Sequence, residues 1–267
     1  MLHGMFLGSL TTWYFSAGPA LAAKRRVHMY DLRGHGRSER TRTGYGIRHQ
    51  ADDLHALIER VAPGQPVSLV GHSYGAVIAL RYALDHPGAV LRLVLVEPPL
   101  PVATMPEIDT LREDLYRGFV DPLTRWQRVL LWFNRRRAGR TLVARTPTNA
   151  TTKRLLGMLP DGQRMALEAG GRRAERLFAQ MEALATKTTI KQDVLADPDI
   201  PDPELAAYDG RVLLVYGTRT ASALKDAGAR LARLLPNAQL VWLDGTHALP
   251  WEAPGPLATR IGEFLDA

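Results

Sequence analysis

Val67-Ser68-Leu69-Val70 has the length and composition of a buried strand. It passes without a loop through Gly71-His72-Ser73-Tyr74-Gly75 into the helical stretch Ala76-Val77-Ile78-Ala79-Leu80. A chain that goes from strand to helix in so few residues turns sharply. Side chains two positions either side of the serine would collide, which accounts for glycine at both places. The turn lifts the Ser73 hydroxyl above the edge of a sheet, and the first amides of the following helix face any negative charge that develops there. Ser73 is therefore the candidate nucleophile, against the plainer alternative of a structural turn.

The rest of the chain repeats this alternation. Apolar periodicity predicts strands over 27–30, 67–70, 91–96, 212–216 and 239–243, and helices over 50–61, 75–84, 225–235 and 256–265. Short apolar runs separated by helices imply an α/β fold with a mostly parallel, doubly wound sheet whose strand C-termini share one edge. The alternation breaks between Pro98 and Gly210, where the apolar period becomes helical at Leu123, Trp126, Leu130 and Phe133, and again at Leu177, Met181 and Leu184. Asp121-Pro122 suits the start of a helix, and Asp197-Pro198 with Pro201-Asp202-Pro203 reads as the loop returning to the sheet. The expected organisation is a core of 1–97 and 211–267 with a helical cap over 98–210.

The absence of cysteine excludes disulfides, a thiolate nucleophile and zinc-thiolate or iron–sulfur sites. Lys and Arg number 34 against 27 acidic residues, a net +7 that favours anionic partners in general. The densest cluster, Arg135-Arg136-Arg137 with Arg140 and Arg145, lies in no nucleic-acid recognition motif and reads as a solvated helix end. The first ten residues lack the charged start and unbroken apolar stretch of a signal peptide, and no run reaches the roughly 18 apolar residues of a membrane span. A cytoplasmic protein acting on a small molecule is expected, with neither nucleic acid nor membrane as partner, and the oligomeric state stays open. Neither H-E-x-x-H nor a phosphate-binding G-x-x-x-x-G-K-[ST] occurs, and Gly34-His35-Gly36 lacks the third glycine of a dinucleotide loop, with Glu39 in its place. No metal or cofactor is expected.

Two further segments complete the candidate site. An acyl-transfer enzyme of this architecture meets its oxyanion with two backbone N–H groups, one following the nucleophile and one from an early loop. Tyr74 and Met5, in His3-Gly4-Met5, are those two, with the His3 ring as a brace for the loop. A general base belongs on a loop at the same sheet edge, and of the eight histidines His247, in Leu243-Asp244-Gly245-Thr246-His247, follows the last predicted strand.

Together these residues resemble the α/β-hydrolase superfamily over nearly the whole chain. Asp31-Leu32-Arg33-Gly34-His35-Gly36-Arg37-Ser38 matches that superfamily's D-x-R-G-x-G-x-S loop, and the helical insertion sits where its cap enters. The resemblance also exposes two departures. The usual triad acid follows the seventh strand, and Thr220 occupies that place here. Some members, haloalkane dehalogenases among them, take the acid from the end of the sixth strand, which in this chain ends at Glu97; Asp244 and an acid-free Ser–His dyad are the alternatives. On that basis Thr220→Ala is expected to do little. The second departure is that members carry two or three strands before the His-Gly loop, whereas only Met1 and Leu2 precede His3, so the natural reading frame is expected to start upstream.

The resemblance implies a serine hydrolase that cleaves a carboxylic ester or thioester through an acyl-enzyme, with Ser73 attacking, His247 moving the proton and Glu97 orienting the imidazole. Carbon–carbon bond hydrolysis uses the same Ser and His, and a non-catalytic ligand-binding member of the fold is the alternative from another class. Dehalogenase and epoxide hydrolase chemistry is disfavoured because those nucleophiles are Asp, where Ser73 stands. Trp126, Trp132, Phe133, Met158 and Met181 of the cap are the expected apolar pocket lining, which suggests a small apolar or aromatic acyl group.

Overall fold

The computed structural model describes residues 1–5, 8–101, 180 and 183–267. Four parallel strands, β1 (Val67–His72), β2 (Val90–Val96), β3 (Val212–Gly217) and β4 (Ala238–Leu243), lie side by side in chain order. The register makes the two-residue side-chain period visible. Leu93, Val212 and Ala238 are partners in one row and Leu95, Leu214 and Leu240 in another, all on one face of the sheet. The intervening rows, Val94 with Leu213 and Val96 with Val215 and Val241, line the other face. Both faces are therefore apolar, as a parallel sheet covered by helices requires, and each fully buried Leu or Val contributes about 1.5–3 kcal/mol.

Helices cover the two faces. On the first, α4 (Tyr74–Asp85) packs against β1 and β2, and α7 (Ser222–Leu234) against β3 and β4. α3 (Ile47–Val61) lies over α4 through Ile47, Ala51, Leu54 and Ile58, one stripe at helical spacing. The second face is closed by α1 (Thr11–Tyr14), α2 (Ala17–Ala22), α8 (Leu249–Glu252) and α9 (Pro254–Asp266), whose Trp13, Leu21, Leu249, Leu257 and Ile261 meet the valines of the sheet. The row His72, Val96, Val215 and Val241 crosses all four strands just before their C-terminal ends, so the residues that follow emerge at one edge.

Residues 27–30 do not form the expected strand. A strand needs a partner along its length, and among the described residues the contacts between this run and β1 run through Met1 and Leu2. Leu2 forms a single parallel bridge to Gly71, while the Met1 amine donates to the His28 carbonyl at 2.6 Å. Likewise 201–203 is more than a loop, because α6 (Asp202–Ala206) begins there. Proline is at home in a first helical turn, and Asp202 and Glu204 complement the positive end of the helix dipole. Between 98 and 210, the described residues include α6, the preceding helix α5 (Ile190–Ala196) and no strand. Among the described residues no helix is long and apolar enough to cross a membrane.

Candidate active site

Ser73 stands between β1 and α4 with φ 54° and ψ −127°. Glu97 at the end of β2 also has φ 54°, and these are the two non-glycine residues with positive φ among those described. Such a backbone costs about 1–3 kcal/mol per residue and persists only where its surroundings hold it. The Ser73 N–H is held by the Val96 carbonyl at 2.8 Å and the Glu97 N–H by the Val215 carbonyl at 2.9 Å. The glycines of the turn are sterically required. A Cβ on Gly71 would lie 2.4 Å from the Gly75 carbonyl oxygen, and one on Gly75 would lie 2.4 Å from the carbonyl oxygen of His3.

The first loop is pressed onto Ser73, since a Cβ on Gly4 would come within 3.0 Å of the Ser73 Cβ. His3 braces this loop. Its Nε2 accepts the Leu32 N–H at 2.9 Å, so Nδ1 carries the proton and donates to the Gly4 carbonyl at 2.7 Å. Burial, with His35 alongside, pushes its pKa down to about 3 and keeps the ring neutral. The D-x-R-G-x-G-x-S loop supports the same region. The Asp31 carboxylate accepts the Leu10 and Arg37 N–H groups at 2.7 and 2.9 Å, and a Cβ on Gly36 (φ 49°) would strike that carboxylate at 2.1 Å. Arg33 pairs with Asp53 through two bonds, tying the loop to α3.

His247, Ser73 and Glu97 meet at the sheet edge, all three buried. His247 Nε2 lies 2.9 Å from Ser73 Oγ, and its Nδ1 lies 3.2 Å from Glu97 Oε2. An ionised carboxylate only accepts, so Nδ1 carries the proton and Nε2 is free to accept from the serine hydroxyl. The His247 loop is anchored by Glu252, which accepts the Thr246 N–H, and by His72, whose Nε2–H donates to the His247 carbonyl at 2.8 Å. Burial pushes His72 down to about 3, with His247 adding to the effect. Asp244 is exposed and pairs with Arg219 at 3.1 Å, away from the imidazole.

The surroundings of Glu97 follow from no pattern in the sequence. Its Oε1 accepts the Gly217 N–H, and its Oε2 accepts the Thr220 hydroxyl at 2.7 Å. Thr220, at the position where the resemblance places an acid, thus touches the Glu97 carboxylate, and that coincidence of place was the available signal. His72 and Asp31 carry no sequence signal of their own beyond their places in the Gly71–Gly75 and Asp31–Ser38 stretches. Tyr74 begins α4, so its N–H is among the helix amides without an intrahelical partner. Met5, two residues after His3, is buried. The pocket candidates Trp126, Trp132, Phe133, Met158 and Met181 lie outside the described residues. Among the described residues no group of three or more His, Asp or Glu could hold a metal ion.

The family model for the alpha/beta hydrolase fold matches residues 1–254. Over 90 residues the chain is 40% identical to a putative carbamate hydrolase, RutD, of Variovorax paradoxus (strain S110), a match covering 33% of this chain and 34% of that protein. A longer match, 27% identical over 274 residues, covers 100% of this chain and 86% of the magnesium-chelatase 30 kDa subunit of Rhodobacter capsulatus. Among solved structures, a hydrolase from Pseudomonas aeruginosa PA01 has a TM-score of 0.67 at 21% identity, over 100% of this chain and 88% of that one, a likeness of fold alone. Since the family match spans nearly all of the sequence and the parallel sheet carries its strand-turn-helix serine, the chain belongs to the α/β hydrolase fold family.

Proposed function

We propose that the protein is a serine hydrolase that cleaves a carboxylic ester or thioester of a small apolar or aromatic acid through an acyl-enzyme. The observation that carries this reading is the unbroken chain from Ser73 Oγ through the His247 ring to Glu97 Oε2, at 2.9 and 3.2 Å. Ser73 Oγ adds to the substrate carbonyl carbon while its proton passes to His247 Nε2. The N–H groups of Tyr74 and Met5 receive the oxyanion. Collapse breaks the carbon–oxygen or carbon–sulfur bond, and the leaving alcohol or thiol takes the proton from Nε2. Water activated by the same nitrogen then releases the acid and restores the serine. Glu97 keeps the productive tautomer and offsets the charge of the imidazolium.

In this reading 98–210 forms a cap over the sheet edge formed by 1–97 and 211–267, and Trp126, Phe133, Met158 and Met181 supply apolar lining for the acyl group. Steady-state hydrolysis of p-nitrophenyl acetate, butyrate and benzoate, with acetyl and benzoyl thioesters alongside, tests it. Turnover that disappears in Ser73→Ala, apart from a small residual, supports the proposal; turnover unchanged in that variant removes Ser73 from the mechanism. A second reading, a non-catalytic ligand-binding protein, is favoured by the relative matched over the whole chain, which is named as a magnesium-chelatase subunit rather than a hydrolase. Wild-type protein inert toward every ester and thioester of the panel would favour that second reading.

A further inference from the structure

The carboxylate of Glu97 has to hold one orientation to serve His247, and its own covalent geometry does not supply it. The last torsion of a glutamate is broad and roughly two-fold, with little intrinsic preference. Three donors surround the group: the Gly217 N–H on Oε1, and the Thr220 hydroxyl and His247 Nδ1–H on Oε2. Of the two on Oε2, the contact to His247 is longer, at 3.2 Å against 2.7 Å for Thr220, and 3.2 Å is the outer limit of an ordinary N–H···O bond. The imidazole is therefore the looser of the two holds on that oxygen.

We infer that Thr220 is a positioning residue for the acid: its hydroxyl and the Gly217 N–H clamp Glu97 so that one carboxylate oxygen faces His247 Nδ1. This rests on the Ser73–His247–Glu97 reading proposed above. Thr220 and Glu97 are both buried, so water does not replace the hydroxyl when it is removed. The Gly217 donor is backbone and survives any side-chain substitution, whereas the Thr220 donor depends on one oxygen. By donating to the oxygen that faces the histidine, Thr220 also makes that oxygen a poorer proton acceptor, which keeps the shared proton on Nδ1 throughout the cycle. The position where the family usually carries its acid thus holds a donor to the relocated one.

The test uses the full chain with p-nitrophenyl acetate turnover and the rate of acylation by a fluorophosphonate. Thr220→Val keeps the shape and removes the hydroxyl. It is expected to lower kcat about tenfold, at the lower end of the 10–100-fold loss seen when a residue orienting a metal ligand is removed, with KM changed less than about twofold. Thr220→Ser should recover most of that loss. In a Glu97→Gln background, Thr220→Val should slow the reaction no further, since the threonine acts through the carboxylate. Wild-type kcat in Thr220→Val, or the same tenfold loss in both backgrounds, overturns the inference while leaving Ser73, His247 and Glu97 in place. Glu97→Gln with wild-type turnover overturns both this inference and the triad reading beneath it. Should the valine variant fail to fold, Thr220→Ala removes the same oxygen and carries the same expectations.

Discussion

Replacing Glu97 by glutamine swaps one acceptor oxygen for an NH2 group in a site where only donors converge. The structure allows two placements. With the NH2 in the place of Oε1 it meets the Gly217 N–H, a donor that cannot turn away, and the buried mismatch costs about 1–3 kcal/mol. With the NH2 in the place of Oε2 it faces the Thr220 hydroxyl, which can rotate to accept, and His247 Nδ1, which can accept by losing its proton. The second placement is the cheaper one, and it puts the proton on Nε2, where the ring can no longer take one from Ser73. A serine protease whose acid is converted to the amide loses about 10⁴ in kcat for this reason. The present variant should fall by about 10³–10⁴ in kcat for p-nitrophenyl acetate, with KM and thermal midpoint little changed. Turnover within about tenfold of wild type would remove Glu97 from the mechanism and leave the histidine working as a dyad with Ser73.

Two further predictions follow from the geometry. Gly75→Ala places a methyl 2.4 Å from the His3 carbonyl and 2.9 Å from the backbone of Leu2, so the first loop shifts away from Ser73. Displacement of that order costs about 10²-fold, and ester turnover in a variant with a native circular-dichroism spectrum checks it. The second concerns acid. Burial pushes His3 and His72 from their ordinary value of 6.5 down to about 3, so below pH 6.5 the unfolded chain binds protons that the folded one refuses. Both contribute stability that is present above about pH 6.5 and is lost as the pH falls toward 3. Between pH 7 and 5 this amounts to about 2 kcal/mol each. Urea unfolding at the two pH values should show it, with a shallower dependence in His72→Gln; equal stability at both would contradict it.

Much of the fold was legible because a parallel sheet with two buried faces leaves near-continuous apolar runs, and β1 to β4 all coincide with predicted strands to within a residue or two. The run at 27–30 reads the same way and is not a strand, because pairing depends on a neighbour and local pattern carries no information about one. Ser73 and His247 could be found from the turn and the loop that hold them. Glu97 followed from the absence of an acid at Thr220. What remained hidden was the contact between those two, since residues 123 positions apart meet only when β2 and β3 pair. The expectation that Thr220→Ala does little rests on threonine being no replacement for a carboxylate, and it leaves out the hydroxyl 2.7 Å from Glu97 Oε2. Asp31 and His72 were hidden for a similar reason: each binds a backbone group distant in sequence, Asp31 that of Leu10 and His72 that of His247.

Reaction of the purified protein with a fluorophosphonate, followed by peptide mapping of the adduct by mass spectrometry, tests whether Ser73 is a nucleophile activated by His247. A single adduct on Ser73 is expected, absent in Ser73→Ala and formed orders of magnitude more slowly in His247→Ala. A wild-type protein that takes up no label, or an adduct mapped to another residue with Ser73 unmodified, would contradict it.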